Sequence, residues 1–126
     1  MNSLPEAGSS SGGSSVINPE WTDWRYFCAY GRESIASKLK YSDTSNGTNF
    51  YCMFSNCKTL TSIPQFNTSK GTDFSGMFEQ CHALISIPQL DTSNGKTFSS
   101  MFNNCKALTS IPQLNTSNGT LFTYMF

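Results

Sequence analysis

The sequence predicts an α/β repeat solenoid, and three observations carry that prediction. A 24-residue pattern stands in tandem at 43–66, 67–90 and 91–114, and a fourth copy runs from 115 to 126. Its positions keep strict register: Phe50, Phe74, Phe98 and Phe122 share one, Met53, Met77, Met101 and Met125 another, and Cys57, Cys81 and Cys105 a third. A fixed period of this size is the mark of stacked coils, each too small to bury its apolar face alone. Within each copy the apolar spacing changes once. Phe74, Met77, Phe78 and Cys81 follow the i, i+3, i+4, i+7 rule of a short helix, and Leu84, Ile87 and Leu90 continue on an extended segment.

In chain order, residues 1–20 read as a Gly/Ser-rich tether without periodic apolar residues. Residues 21–42 read as an aromatic N-terminal cap, a degenerate copy holding Trp21, Trp24, Tyr26, Phe27, Tyr30 and Tyr41. Stepping back 24 from Phe50 lands on Tyr26, and from Ile63 on Leu39. Arg25, Arg32, Glu33, Lys38 and Lys40 are expected to face solvent, and "RESIASKLK" suits a short helix. An aromatic carbohydrate-binding site is the alternative use of the cap.

Residues 43–126 form the repeat array. Each copy opens on an Asx-Thr-Ser corner, where Asp43, Asn67, Asp91 or Asn115 can bond the turn that follows. Gly47, Gly71, Gly95 and Gly119 come next, read as turn glycines with positive φ, and Thr48 or Thr72 as the cap of the helix. Thr-Ser-Ile is read as the strand. Pro64, Pro88 and Pro112, which lack an N–H for a ladder, mark its end. The ladder of inward side chains comprises Phe50, Met53, Phe54, Cys57, Leu60 and Ile63; Phe74, Met77, Phe78, Cys81, Leu84 and Ile87; and Phe98, Met101, Phe102, Cys105, Leu108 and Ile111.

Composition narrows the function. With 8 basic and 8 acidic residues the formal net charge is zero, which argues against a nucleic-acid or anionic-membrane partner, since either needs a basic face to neutralise its phosphates. No apolar run reaches the roughly 20 residues that a membrane-spanning helix needs. The Cys ladder sits among apolar neighbours, where a thiol behaves as a small hydrophobe, and is expected to stay reduced. His82, the sole histidine, stands where Lys58 and Lys106 stand in other copies, which marks a solvent-facing position. No catalytic residue, metal ligand or cofactor is therefore expected. The Thr-Ser pairs at 44–45, 68–69, 92–93 and 116–117 admit an ice-binding array as a minor reading. Partner contacts are expected at positions that vary between copies and at their neighbours: Thr61, Ile85 and Thr109 with the adjoining Ser62, Ser86 and Ser110 on the strand face, and Ser55, Asn56, Glu79, Gln80, Asn103 and Asn104 on the helix face.

The residues "MFxxCxxLxSIPxL" joined to "DTSNGT", from Asp43 to Phe126, resemble the bacterial leucine-rich-repeat class of BspA-like surface proteins and its mycoplasma-type repeats. Similar arrays occur in phage appendage proteins. The resemblance implies a leucine-rich-repeat-like solenoid that binds a protein or glycan on another surface, at the cell surface or on a virion, with a purely structural spacer as the alternative. Where that class carries Leu-x-Leu, this chain carries Ile-Pro-Gln-Leu. The fourth copy ends on Leu121, Phe122, Met125 and Phe126 without a polar cap, and self-association or membership of a longer protein is expected from it.

Overall fold

The computed structural model describes residues 20–126; the expected tether lies outside them apart from Glu20. The copies lie one on the next in register. Asp23, Asn49, Asp73, Thr97 and Leu121 form a row of parallel β-bridges, one residue per copy.

Neither the short helix nor the short strand forms within the copies. Among the described residues the one helix is the 3₁₀ segment Glu33–Tyr41, and no strand is longer than a bridge. The backbone donors explain what replaces them. In 43–66 the N–H groups of Phe50, Cys52, Phe54 and Asn56 donate to the carbonyls of Asp73, Ser75, Met77 and Glu79 in the next copy, at 2.8–2.9 Å. The intervening N–H groups of Met53, Ser55 and Cys57 donate back three residues, to Phe50, Cys52 and Phe54. An α-helix would consume every donor internally; here alternate donors are released to tie copies together. The ribbon pays with left-handed backbone at Cys52 (φ 52°) and Asn56 (φ 62°), repeated at Gly76, Gln80, Ser100 and Asn104. Positive φ at the third residue of a turn is the type II geometry.

The i, i+3, i+4, i+7 set still points inward. Phe50 stacks on Phe74, Phe74 on Phe98 and Phe98 on Phe122 at 5.6–5.7 Å, with ring planes within 10°. Phe54, Phe78, Phe102 and Phe126 make a second column at 5.4–5.6 Å. Every ladder residue from Phe50 to Phe102 is buried, whereas Cys105, Leu108 and Ile111 are partly buried against the core.

The extended half of each copy is held mainly by side chains. Ile85 N–H reaches Thr61 C=O at 3.1 Å. Gln65 Nε2 donates to Gln89 C=O and Gln89 Nε2 to Gln113 C=O, each at 2.7 Å. Proline has removed one backbone donor per copy, and the glutamine amides supply the missing bracing.

Two corner readings change. Gly47, Gly71, Gly95 and Gly119 are not left-handed. They are glycine because a Cβ there would lie 2.4–2.6 Å from Cζ of the phenylalanine three residues on. Thr48 and Thr72 cap no helix; their hydroxyls reach the carbonyls of Thr22 and Thr48 in the preceding copy. The Asx corners do form: the Oδ1 atoms of Asp43, Asn67, Asp91 and Asn115 accept both the N–H and the Oγ–H of the serine two residues on, at 2.6–3.0 Å.

At the head of the stack the step is 26 residues, not 24. Asp23 bridges Asn49, and the N–H groups of Trp24 and Cys28 donate to the carbonyls of Asn49 and Met53. Trp24, and not Tyr26, thus takes the place of Phe50, and Leu39 is buried from the 3₁₀ helix. Trp21, Trp24 and Phe27 cluster at 4.9–6.4 Å and close the core. Of the five charges expected in solvent, Arg25 and Lys40 are exposed, while Arg32, Glu33 and Lys38 are half-buried. The Glu33 carboxylate accepts the Thr59 hydroxyl.

Candidate binding surfaces

The inward thiols have a structural task. The Sγ–H groups of Cys57, Cys81 and Cys105 donate to the carbonyls of Cys28, Phe54 and Phe78 in the preceding copy, at 2.7, 3.1 and 3.0 Å. A small apolar side chain with one weak donor is what this position accommodates. Burial pushes the thiols up, Cys57 to about 12 and Cys105 to about 11, with Cys81 shifted the same way. A thiol held protonated in the fold but ionising near 9 when unfolded makes folding less favourable as pH rises. Stability is therefore expected to be whole below about pH 9 and to fall away between about 9 and 12. Iodoacetamide at pH 8 should label Cys57 and Cys81 only after unfolding, and reductant should leave the melting curve unchanged. Rapid labelling of the folded chain, or a melt that reductant lowers, would contradict this account.

The remaining polar chemistry is used locally. His82 Nε2 meets Gln80 Oε1 at 3.0 Å. Among the described residues no three His, Cys, Asp or Glu side chains converge as metal ligands would. Thr44, Thr68 and Thr92 are buried, their hydroxyls donating to the carbonyls of Asn67, Asp91 and Asn115 at 2.6–2.7 Å. An ice-binding array on the Thr-Ser pairs is thereby overturned, because its threonines point into the core.

Of the positions expected to contact a partner, Thr61, Ser62, Ile85, Ser86, Thr109 and Ser110 are all exposed, in adjacent rows. On the other face Asn104 is exposed and Asn56, Glu79, Gln80 and Asn103 are half-buried. Ser55 is buried and leaves the set. Two features escaped sequence reasoning. One is an open polar groove of about 520 Å³ along the corner, lined by Gln65, Asn67, Ser69, Gln89, Asp91 and Ser93 among others. The repeated Pro-Gln and Asx-Thr-Ser were visible, but not that they face each other. The other is the meeting of the cap tyrosines Tyr26 and Tyr30 with Tyr51 of the first full copy. On the last copy Phe122 and Phe126 stack inward on one ring face yet remain 42% and 74% exposed. Phe126 also borders a groove of about 420 Å³ with Phe102, Cys105, Leu108 and Ile111.

In the described residues the 24-residue copies lie in register, with two phenylalanine columns beneath a cluster of buried aromatics. The chain belongs to the family described as "Mycoplasma protein of unknown function, DUF285", whose model matches residues 25–126, nearly all of the cap and every copy. No curated protein and no solved structure matches it. Among the described residues no helix is long and apolar enough to cross a membrane.

Proposed function

We propose that the chain is a non-catalytic binding module, a leucine-rich-repeat-like solenoid of a bacterial surface protein that meets a protein or glycan on another surface. The observation that carries this reading is the division between inward and outward positions. Groups able to do nucleophilic chemistry, the ladder thiols, are turned in and held protonated. The Asx carboxylates and amides are committed to their own corners. The varying positions Thr61, Ile85 and Thr109 and the invariant serines beside them, Ser62, Ser86 and Ser110, form exposed rows, with Ile85 60% exposed. Stacked repeats put such rows on an extended surface suited to macromolecular partners. The bacterial family favours a cell surface over a phage appendage.

The test is binding of the labelled full chain to bacterial and animal cell surfaces, beside a variant carrying Thr61→Lys, Ile85→Asp and Thr109→Lys. These side chains are exposed, so the melting temperature should hold. Saturable binding that the variant loses by about tenfold or more is expected. A chain that binds neither surface at micromolar concentration would leave only a structural spacer.

A further inference from the structure

The cap uses its aromatics in two opposite ways. Trp21, Trp24 and Phe27 turn in and close the core, which is all that capping requires. Tyr30 turns out and is 66% exposed. Its ring lies 6.0 Å from that of Tyr26, with 22° between the planes. Tyr51, from the first full copy, meets Tyr26 edge-on at 5.6 Å and 88°, so the pair is braced from the neighbouring copy. Both cap tyrosines hold left-handed backbone, Tyr26 at φ 58° and Tyr30 at φ 57°. A bulky side chain there costs about 1–3 kcal/mol, and capping the core gains nothing from Tyr30.

What stands next to Tyr30 suggests its use. Its N–H donates to Ser55 C=O, so Asn56 takes the equivalent place in the next copy. Gln80 and Asn104 continue that column, with φ 64° and 63°. One outward tyrosine is thus followed by three carboxamides, one per copy. The column members carry no charge themselves, while Lys58, His82 and Lys106 stand two residues on from Asn56, Gln80 and Asn104. Asn56 Nδ2 donates to Ser55 Oγ and Gln80 Oε1 meets His82 Nε2, each at 3.0 Å. Beside Tyr26 the Asp23 carboxylate is neutralised by a bidentate Arg25 at 2.8–3.1 Å. Glu79 is the nearest acid along the column and takes the Asn103 amide at 3.5 Å.

A fixed aromatic face beside groups that both donate and accept fits one chemical class. The C–H face of a pyranose is apolar and weakly positive, matching the negative face of a tyrosine ring. Its hydroxyls need partners of both kinds, which carboxamides provide. We propose that Tyr30, braced by Tyr26 and Tyr51, is the platform for one ring of a neutral glycan whose further units run along Asn56, Gln80 and Asn104. The proposal rests on the binding-module reading and adds to its Thr/Ile rows a second contact surface, with a ligand class of its own. Because the braced tyrosines are already ordered, little side-chain entropy is lost on binding.

The experiment is affinity electrophoresis and calorimetry of the full chain against neutral hexasaccharides of glucose, mannose, galactose and N-acetylglucosamine. At least one should bind. Tyr30→Ala should weaken it about tenfold, Tyr30→Phe should keep most of the affinity, and Gln80→Ala should weaken it by a smaller factor. Melting temperatures of all three should stay close to that of the parent. If none of the four binds, or if Tyr30→Ala binds as the parent does, the proposal is overturned. Cell-surface binding separates this failure from that of the broader reading. Binding that survives periodate oxidation of the surface glycans and the Tyr30→Ala change would keep a binding module and sink its glycan platform. No surface binding at all would sink both.

Discussion

Replacing Phe78 by aspartate is expected to unfold the chain. Phe78 is fully buried between Phe54 and Phe102, at 5.4 and 5.6 Å, in the middle of a ring column that runs on to Phe126. Removing such a ring costs about 3–5 kcal/mol by itself. A carboxylate in its place lies between the rings of Phe54 and Phe102 with no cation to pair it, so a desolvation cost of several kcal/mol is added. A domain of this size has about 5–15 kcal/mol in total. Because stacked repeats draw their stability from contacts between neighbours, loss at the centre propagates both ways. The measurement is thermal and urea unfolding followed by circular dichroism, with Lys96→Asp as the control. The Lys96 side chain is exposed, so that variant should stay within about 0.5 kcal/mol of the parent. Equal damage from both changes would mean that inward and outward positions have been misassigned.

That assignment is the part of the structure most fully legible beforehand. The period fixes which residues are equivalent, and equivalent residues share an environment, so the ladder from Phe50 to Phe102 could be written down as buried. The backbone was not legible in the same way. The spacing of Phe74, Met77, Phe78 and Cys81 reports that four side chains share one side, and a ribbon of turns satisfies this as well as a helix does. What separates the two is where the N–H groups go, and the residues that decide it are those between the apolar positions. Cys52, Asn56, Gly76, Gln80, Ser100 and Asn104 all hold positive φ. Asn and Gly there hint at left-handed backbone, but Cys52 and Gln80 hide it. The 26-residue step at the cap was hidden for another reason: Tyr26 and Trp24 are both aromatic, and only the bond from Trp24 N–H to Asn49 C=O distinguishes them. The outer rows were legible as the varying Thr61, Ile85 and Thr109 with their serine neighbours, whereas the contact of Tyr51 with Tyr26 depends on residues from two copies meeting across the stack.

Gly71→Ala is expected to have the second largest effect, for a reason opposite to the usual one for a turn glycine. Gly71 lies outside the left-handed region, so alanine could adopt its backbone. Space is what fails. A Cβ would lie 2.5 Å from Phe74 Cζ and 2.9 Å from Phe50 Cε2, pressed against two rings of the same stack. Neither ring can yield alone, since Phe74 also stacks on Phe98 at 5.7 Å. Overpacking of this kind costs about 1–3 kcal/mol, which for roughly 100 residues lowers the melting temperature by about 5–20 °C. Gly31→Ala makes the contrast: there φ is +88° and the nearest atom is 3.8 Å away, so only the conformational cost of about 1 kcal/mol applies. Two further variants separate crowding from backbone strain. Phe74→Leu withdraws the clashing Cζ, so the double variant Gly71→Ala/Phe74→Leu should lose clearly less than the sum of its two single changes. Gly71→Asn, a residue that tolerates left-handed backbone, should be at least as damaging as alanine. A Gly71→Asn chain as stable as the parent, or a double variant that is strictly additive, would show that the phenylalanine column is not what demands glycine at this position.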